Sequence, residues 1–196
     1  MLVIGVTGGM ASGKSTLARM FSGRGIVHVD ADKLVHHLLQ HDRETKAAIA
    51  AIFPMAMSQQ HINRAALADY IAKHPHSLVN LEAILHPRVR ALEEKAILAA
   101  TRNRLRAVIL DVPLLFETAA DELCDVVIVA HAPLAHRRRR AFVRAGMTEA
   151  KWQRLMARQW PEADKKHLAD IVIETSMGKA AMRRAVNMLM KEWGLR

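Results

Sequence analysis

Gly8-Gly9-Met10-Ala11-Ser12-Gly13-Lys14-Ser15 spells G-x-x-x-x-G-K-S directly after the apolar run Leu2-Val3-Ile4-Gly5-Val6. A strand feeding such a loop is a phosphate cradle. Glycines at 8 and 13, helped by Gly9, free the backbone to curl so that successive N–H groups converge on a polyphosphate, and the following helix turns its positive end to the same anion. In this pattern Lys14 reaches the β- and γ-phosphates, and Ser15 holds magnesium. A glycine-rich turn needs no ligand, and at ordinary residue frequencies the pattern arises by chance in roughly one chain per hundred of this size. The flanks lower those odds, because Leu17, Met20 and Phe21 continue the loop with helical spacing.

Outward from the loop, five short apolar segments read as strands: Leu2 to Val6, Ile26 to Val29, Val108 to Val112, Val126 to Ala130 and Ile171 to Ile173. Four are near-continuous rather than alternating, as parallel strands are when helices cover both faces. Helical stretches between them give β-α-β, a long α insert, then β-α-β-α. This is an α/β fold, a five-stranded parallel doubly wound sheet that binds its ligand at the C-terminal strand edge. The stretch from Asp32 to Arg106 is too long for a plain crossover, and Leu34, Val35, Leu38, Leu39, Leu67, Tyr70 and Ile71 are spaced along it for helix faces. It reads as a helical insert on the substrate side, in which Pro87 suits the first turn of a new helix through Val89, Leu92 and Ile97.

With 196 residues, 51% of them hydrophobic, the chain can bury one sizeable core but hardly two independent ones. The single Cys124 can form no internal disulfide and, leading into an apolar run, reads as a buried structural thiol rather than a reactive one, in keeping with a reducing cytosol. A strand beginning at residue 2 leaves no room for a leader, and no apolar run approaches the ~20 residues that span a bilayer. A soluble, cytoplasmic protein without a membrane partner is expected. The formal net charge of +10 calls for an anionic ligand: nucleic acid, an acidic surface or a small molecule with several phosphates. An aromatic content of 4% argues against a stacking platform for single strands and leaves duplex-backbone binding open.

Several side chains are candidates for chemistry. Val29-Asp30-Ala31-Asp32 ends the second strand, so at least one carboxylate emerges beside the phosphate loop, where it can take a proton from a hydroxyl nucleophile; a helix N-cap is the alternative reading. Val108-Ile109-Leu110-Asp111 has the shape of a Walker B strand, whose acid organises magnesium through water. The apolar loop Pro113-Leu114-Leu115-Phe116-Glu117 either lines a ligand or belongs to the core. In His136-Arg137-Arg138-Arg139-Arg140-Ala141-Phe142-Val143-Arg144, helical geometry puts Arg137, Arg140 and Arg144 on one face, to be read as a solvated face, a nucleic-acid patch or a lid over triphosphate. The eleven histidines lack a metal-ligand pattern, and His86 before Pro87 reads as a helix-start residue.

Taken together and in order, these elements resemble the dephospho-CoA kinases, which complete coenzyme A by phosphorylating the ribose 3′-hydroxyl. The resemblance runs from Gly5 to Thr16, through Asp30-Ala31-Asp32, Leu81 to Val89 with His86-Pro87, and Asp111 to Glu117. It continues through Arg140 and Arg144 to Gln159 and Asp170. It implies a P-loop kinase using ATP and Mg2+ on dephospho-CoA, with no nucleic acid and with the oligomeric state open. Asp32 would be the general base on the 3′-hydroxyl, and Gly8, Gly9, Met10, Ala11, Ser12, Gly13, Lys14, Ser15 and Thr16 would hold ATP. Arg140 would belong to the lid; His86, with the insert, would face the CoA side. Pro113, Leu114, Leu115 and Glu117 would line the cleft, while Ser15, with Asp111 as a further candidate, would hold magnesium. One P-loop kinase domain is implied, with its core at about 1–32, 106–135 and 168–196, the CoA-side insert at about 33–105 and the lid at about 136–167. Two departures stand out. Ala11 replaces the family's usual Gly, which the loop absorbs if φ stays below zero. Glu174-Thr175-Ser176-Met177-Gly178 stands where an Asn and a Gly are expected shortly after Ile173. A nucleoside monophosphate kinase is the nearest rival, and a GTPase is disfavoured because no N-K-x-D guanine clamp occurs.

Overall fold

A computed structural model describes residues 1–59 and 61–195. In chain order the elements are β1 (Leu2–Thr7), α1 (Lys14–Ala18), β2 (Ile26–Asp30), α2 (Ala31–His41), α3 (Arg43–Ile52), the short strands β3 (Met57–Ser58) and β4 (His61–Ile62), α4 (Arg64–Lys73) and α5 (Ser77–Arg102). They continue as β5 (Ala107–Asp111), β6 (Val126–His131), α6 (Leu134–Phe142), α7 (Glu149–Met156), α8 (Glu162–Leu168), β7 (Ile171–Glu174) and α9 (Lys179–Glu192). Every strand of the main sheet lies within one residue of its sequence-predicted bounds.

The main sheet is parallel throughout, in the order β2-β5-β1-β6-β7. After β5 joins one side of β1, the chain crosses to β6 on the other. That reversal puts the loop after β1 at the switch point, where open α/β sheets bind ligands. Alternate residues Ile4, Val6, Ala107, Ile109, Ile128, Ala130 and Ile173 pack with Leu17, Ala18, Met182, Val186 and Met190 in one core. The intervening Val3, Val108, Leu110, Val127 and Val129 are buried as well, so both faces are covered and the strands read as unbroken apolar runs. Asp125 and Asp170 each precede a strand and clamp the neighbouring one. The Asp125 carboxylate accepts from Val3 N–H and the Asp170 carboxylate from Val127 N–H, both at 2.7 Å, and each aspartate's own N–H returns a bond to the same residue's carbonyl. Asp170 therefore serves the sheet's N-terminal edge, opposite to the phosphate loop.

Cys124 is half-buried, and a Cβ on Gly5 would lie 2.6 Å from its sulfur, so the glycine in β1 makes room for the thiol. The first helix stops at Ala18, short of the predicted Phe21. Tighter turns from Met20 N–H to Leu17 O and from Phe21 N–H to Ala18 O then sink both side chains into the core.

The chain divides into two compact units, one of Met1–Asp30 with the residues from Ala96 on, the other of Ala31–Lys95. The second has its own core of Leu39, Ile49, Phe53, Ala56, Leu67, Ile84 and Leu85, with Tyr70 edge-on to Phe53. Its helices are capped as their sequences dictate. Asp42 accepts from Thr45 N–H at 2.7 Å, which holds its carboxyl below the usual range, and Asn63 accepts from Ala65 and Ala66 N–H at the start of α4.

Pro87 does not begin a helix. It sits inside α5, and the Arg88 guanidinium donates to Ile84 O at 2.8 Å in the turn that the proline disturbs. Burial of Ile84 and Leu85 just before it favours the continuous helix over a break. Glu93, also on α5, is only 2% exposed, and burial pushes its carboxyl up to about 7. Among the described residues, no helix is long and apolar enough to cross a membrane.

Candidate active site

The loop between β1 and α1 has the backbone its glycines allow. Gly8 (φ 154°) and Gly13 (φ 98°) lie at positive φ, and a Cβ on Gly8 would collide with the Ala130 carbonyl oxygen of the adjacent strand. Ser12 N–H donates to Gly9 O at 2.9 Å and closes the turn, and Leu17 N–H to Gly13 O begins the helix that carries Lys14, Ser15 and Thr16. Ala11 departs from expectation. Its φ is +60°, in the left-handed region that costs an L-residue about 1–2 kcal/mol. Its methyl is buried with Ala141 and Trp152, packed against Met10, Met147 and Met156, and that contact offsets the strain.

Lys14 Nζ is ion-paired with Asp111 Oδ1, whose carboxylate is fully buried at the end of β5. Register puts Asp30 of β2 beside Asp111, and His28 Nε2 lies 3.8 Å from Asp111 Oδ2. With no hydrogen-bond partner among the described residues, Asp111 Oδ2 is a buried acceptor. A buried carboxylate oxygen of this kind fits the hard, oxygen-seeking Mg2+, which takes one or two protein oxygens and completes its shell with phosphates and water. No group of three or more His, Cys, Asp or Glu among the described residues is arranged to hold a metal by itself. Asp32 is exposed in the first turn of α2, the helix that starts directly after Asp30, so the two carboxylates lie on different elements.

The arginine run separates into distinct roles. Arg137 is 3% exposed; its Nη1 donates to Glu162 Oε2 at 2.7 Å and its Nε to Met10 O at 3.0 Å, so its charge is spent on a carboxylate. Arg140 donates from Nη1 to Ser12 O and Thr175 Oγ1, both at 3.1 Å, and from Nη2 to Thr175 O at 2.8 Å. All three acceptors are neutral, and Arg140 has no carboxylate partner among the described residues. A guanidinium fixed at the phosphate loop with its charge intact suits a polyphosphate. Arg144 does not share their face. It is exposed beyond the end of α6, which stops at Phe142.

Other side chains tie the 136–167 segment to the loop and sheet edge. Gln159 Oε1 accepts from Met10 N–H at 2.8 Å. His131 at the end of β6 lies 2.7 Å from Glu162 Oε1 and 3.4 Å from Glu174 Oε2. Within the Pro113 to Glu117 loop, Leu115 and Phe116 are buried, Pro113 and Leu114 are half-buried, and Glu117 pairs with the buried Lys165 at 2.7 Å and accepts from Trp160 N–H at 2.9 Å. His86 is exposed on α5. Sequence reasoning did not single out Thr175 as a contact of the loop, and it put Arg137 with Arg140 although a carboxylate 25 positions away sets them apart.

A family model described as Dephospho-CoA kinase matches residues 2–180. The chain belongs to the dephospho-CoA kinase family. A dephospho-CoA kinase of Rhodospirillum rubrum is 41% identical over 198 residues, covering 100% of this chain and 94% of that protein. The dephospho-CoA kinase of Agrobacterium fabrum is 38% identical over 195 residues, with 99% of each chain covered. Among solved structures, the crystal structure of TT1252 from Thermus thermophilus matches with a TM-score of 0.79 at 32% identity over 97% of both chains. Family membership thus extends over the second unit as well as the sheet, and the parallel sheet with its phosphate loop is the P-loop kinase fold.

Proposed function

We propose that this chain transfers the γ-phosphoryl group of ATP to the ribose 3′-hydroxyl of dephospho-CoA, giving coenzyme A and ADP. The observation that carries the reading is the pair of cationic side chains at a glycine-built loop, Lys14 at its end and Arg140 of α6 bonded to it, in a chain matched to dephospho-CoA kinases along its whole length. Loop amides and Lys14 bind the β- and γ-phosphates, with Lys14 leaving Asp111 for the more highly charged polyphosphate. Mg2+ supplies, when bound, charge compensation at the phosphate oxygens, with Ser15 and Asp111 positioned to hold it. Asp32 orients the 3′-hydroxyl and takes its proton as the new O–P bond forms and the bond to the β-phosphate oxygen breaks. Arg140 draws off charge from the transferring group, so catalysis is mostly positioning and electrostatics. His86 and the insert face dephospho-CoA, and Pro113, Leu114 and Glu117 border it, with Leu115 anchoring that loop in the core.

The test is ADP release by the purified protein with ATP and magnesium, with dephospho-CoA or AMP added in parallel and product masses measured. Release that depends on dephospho-CoA and yields coenzyme A is expected. A response to AMP alone would reassign the acceptor to nucleoside monophosphates.

A further inference from the structure

Arg140 can serve a polyphosphate only if something holds it at the loop without cancelling its charge. We propose that Thr175 is the positioning residue that does so, by pinning the Arg140 guanidinium to the phosphate loop with neutral oxygens from both its hydroxyl and its carbonyl. The inference rests on the kinase reading above.

Thr175 is the first residue after β7, and its N–H donates to His131 O at 2.8 Å, extending the β6 to β7 ladder by one step. Its backbone is therefore hydrogen-bonded to the sheet, and its side chain is fully buried. The hydroxyl proton is committed to Ser12 O, which leaves the oxygen lone pairs to Arg140 Nη1 at 3.1 Å, while Thr175 O takes Nη2 at 2.8 Å. One residue thus bridges the sheet, the loop and the arginine. Of the five guanidinium N–H donors, three are occupied, leaving Nε–H and one Nη2–H to a ligand. A carboxylate in place of the hydroxyl would hold Arg140 as firmly but neutralise it, as Glu162 does Arg137.

Thr175→Val keeps the shape and removes the hydroxyl. With steady-state kinetics on wild type, Thr175→Val and Thr175→Ser, and thermal midpoints confirming that each is folded, kcat of the valine variant should fall about 10- to 100-fold, the size of one hydrogen bond to a charged group. KM for dephospho-CoA should stay within about twofold, and serine should restore most of kcat. In an Arg140→Lys background, where the bidentate grip is gone, Thr175→Val should have little further effect on kcat. Unchanged kcat in folded Thr175→Val, or losses that multiply with Arg140→Lys, would overturn the proposal and leave Thr175 a packing residue. Should wild type make no coenzyme A, the kinase reading fails by itself. The role of Thr175 is then read from ATP affinity by calorimetry, where the valine variant should bind several-fold more weakly and equal affinities would overturn it.

Discussion

Gly9→Ala should destabilise the protein, and the loss should disappear once Arg137 is removed. Gly9 is not at positive φ, so alanine is acceptable to its backbone. The obstacle is a side chain 128 positions later in the sequence: an added Cβ would fall on the Arg137 guanidinium, reaching Cζ and both Nη atoms. Arg137 is almost fully buried and cannot yield without giving up its bonds to Glu162 and the Met10 carbonyl. A bond between charged groups contributes about 1.5–3 kcal/mol and one to a neutral carbonyl about 1 kcal/mol, so the substitution should cost on the order of 3 kcal/mol. Arg137→Ala incurs that loss already and opens the space. In that background Gly9→Ala should be neutral or stabilise by about 0.4–1 kcal/mol, through the smaller conformational freedom of the unfolded chain. Urea unfolding of wild type, the two single variants and the double variant closes the cycle. Additivity within about 0.5 kcal/mol would refute the reasoning, because it would mean that the two residues do not compete for one volume.

Three further outcomes are expected. Lys14→Ala should lower turnover by roughly 100-fold, the loss typical of one preorganised charge donor, and near-normal turnover would remove Lys14 from the mechanism. Asp32→Asn should keep the fold and ATP affinity while losing turnover, since the amide still hydrogen-bonds but takes no proton; an unaltered rate with chemistry limiting would move the base elsewhere. Glu93 is neutral when buried at low pH and must ionise there as pH rises, so its folded-state contribution is intact below 4.5 and is lost as pH rises through about 7. Glu93→Gln should therefore gain stability over wild type at pH 8, by up to about 3 kcal/mol, but little at pH 4. A difference in urea midpoint that does not change with pH would refute this, because it would mean that Glu93 ionises as readily in the folded protein as in the unfolded chain.

The sheet was legible because each of its strands is an apolar run of ordinary length, and the phosphate loop because its glycines and lysine have fixed spacing. Less local features escaped. β3 and β4 have two residues each and present no period to detect. Pro87 reads equally well as the first residue of a helix or as an interior proline, and only packing around Ile84 and Leu85 decides. Arg137 and Arg140 look alike in a run of basic residues, and what separates them is which acceptors lie opposite, a carboxylate for one and neutral oxygens for the other. Half of Thr175's grip on Arg140 is a backbone carbonyl, which every residue carries and no sequence pattern flags.

Ala11 packs its methyl against residues 141 and 152, and the loop around it is bonded to Arg137, Arg140, Gln159 and Thr175, separated from it by 127 to 163 positions. During synthesis the loop leaves the ribosome before any of these residues is made, and it is among the last parts of the sheet domain to acquire its neighbours. A nascent chain that has reached β6 owns the whole nucleotide signature, yet none of these residues that brace it. The phosphate loop of this protein is thus finished from its far end, and substitutions late in the sequence can disable a site whose recognisable letters all lie in the first sixteen residues.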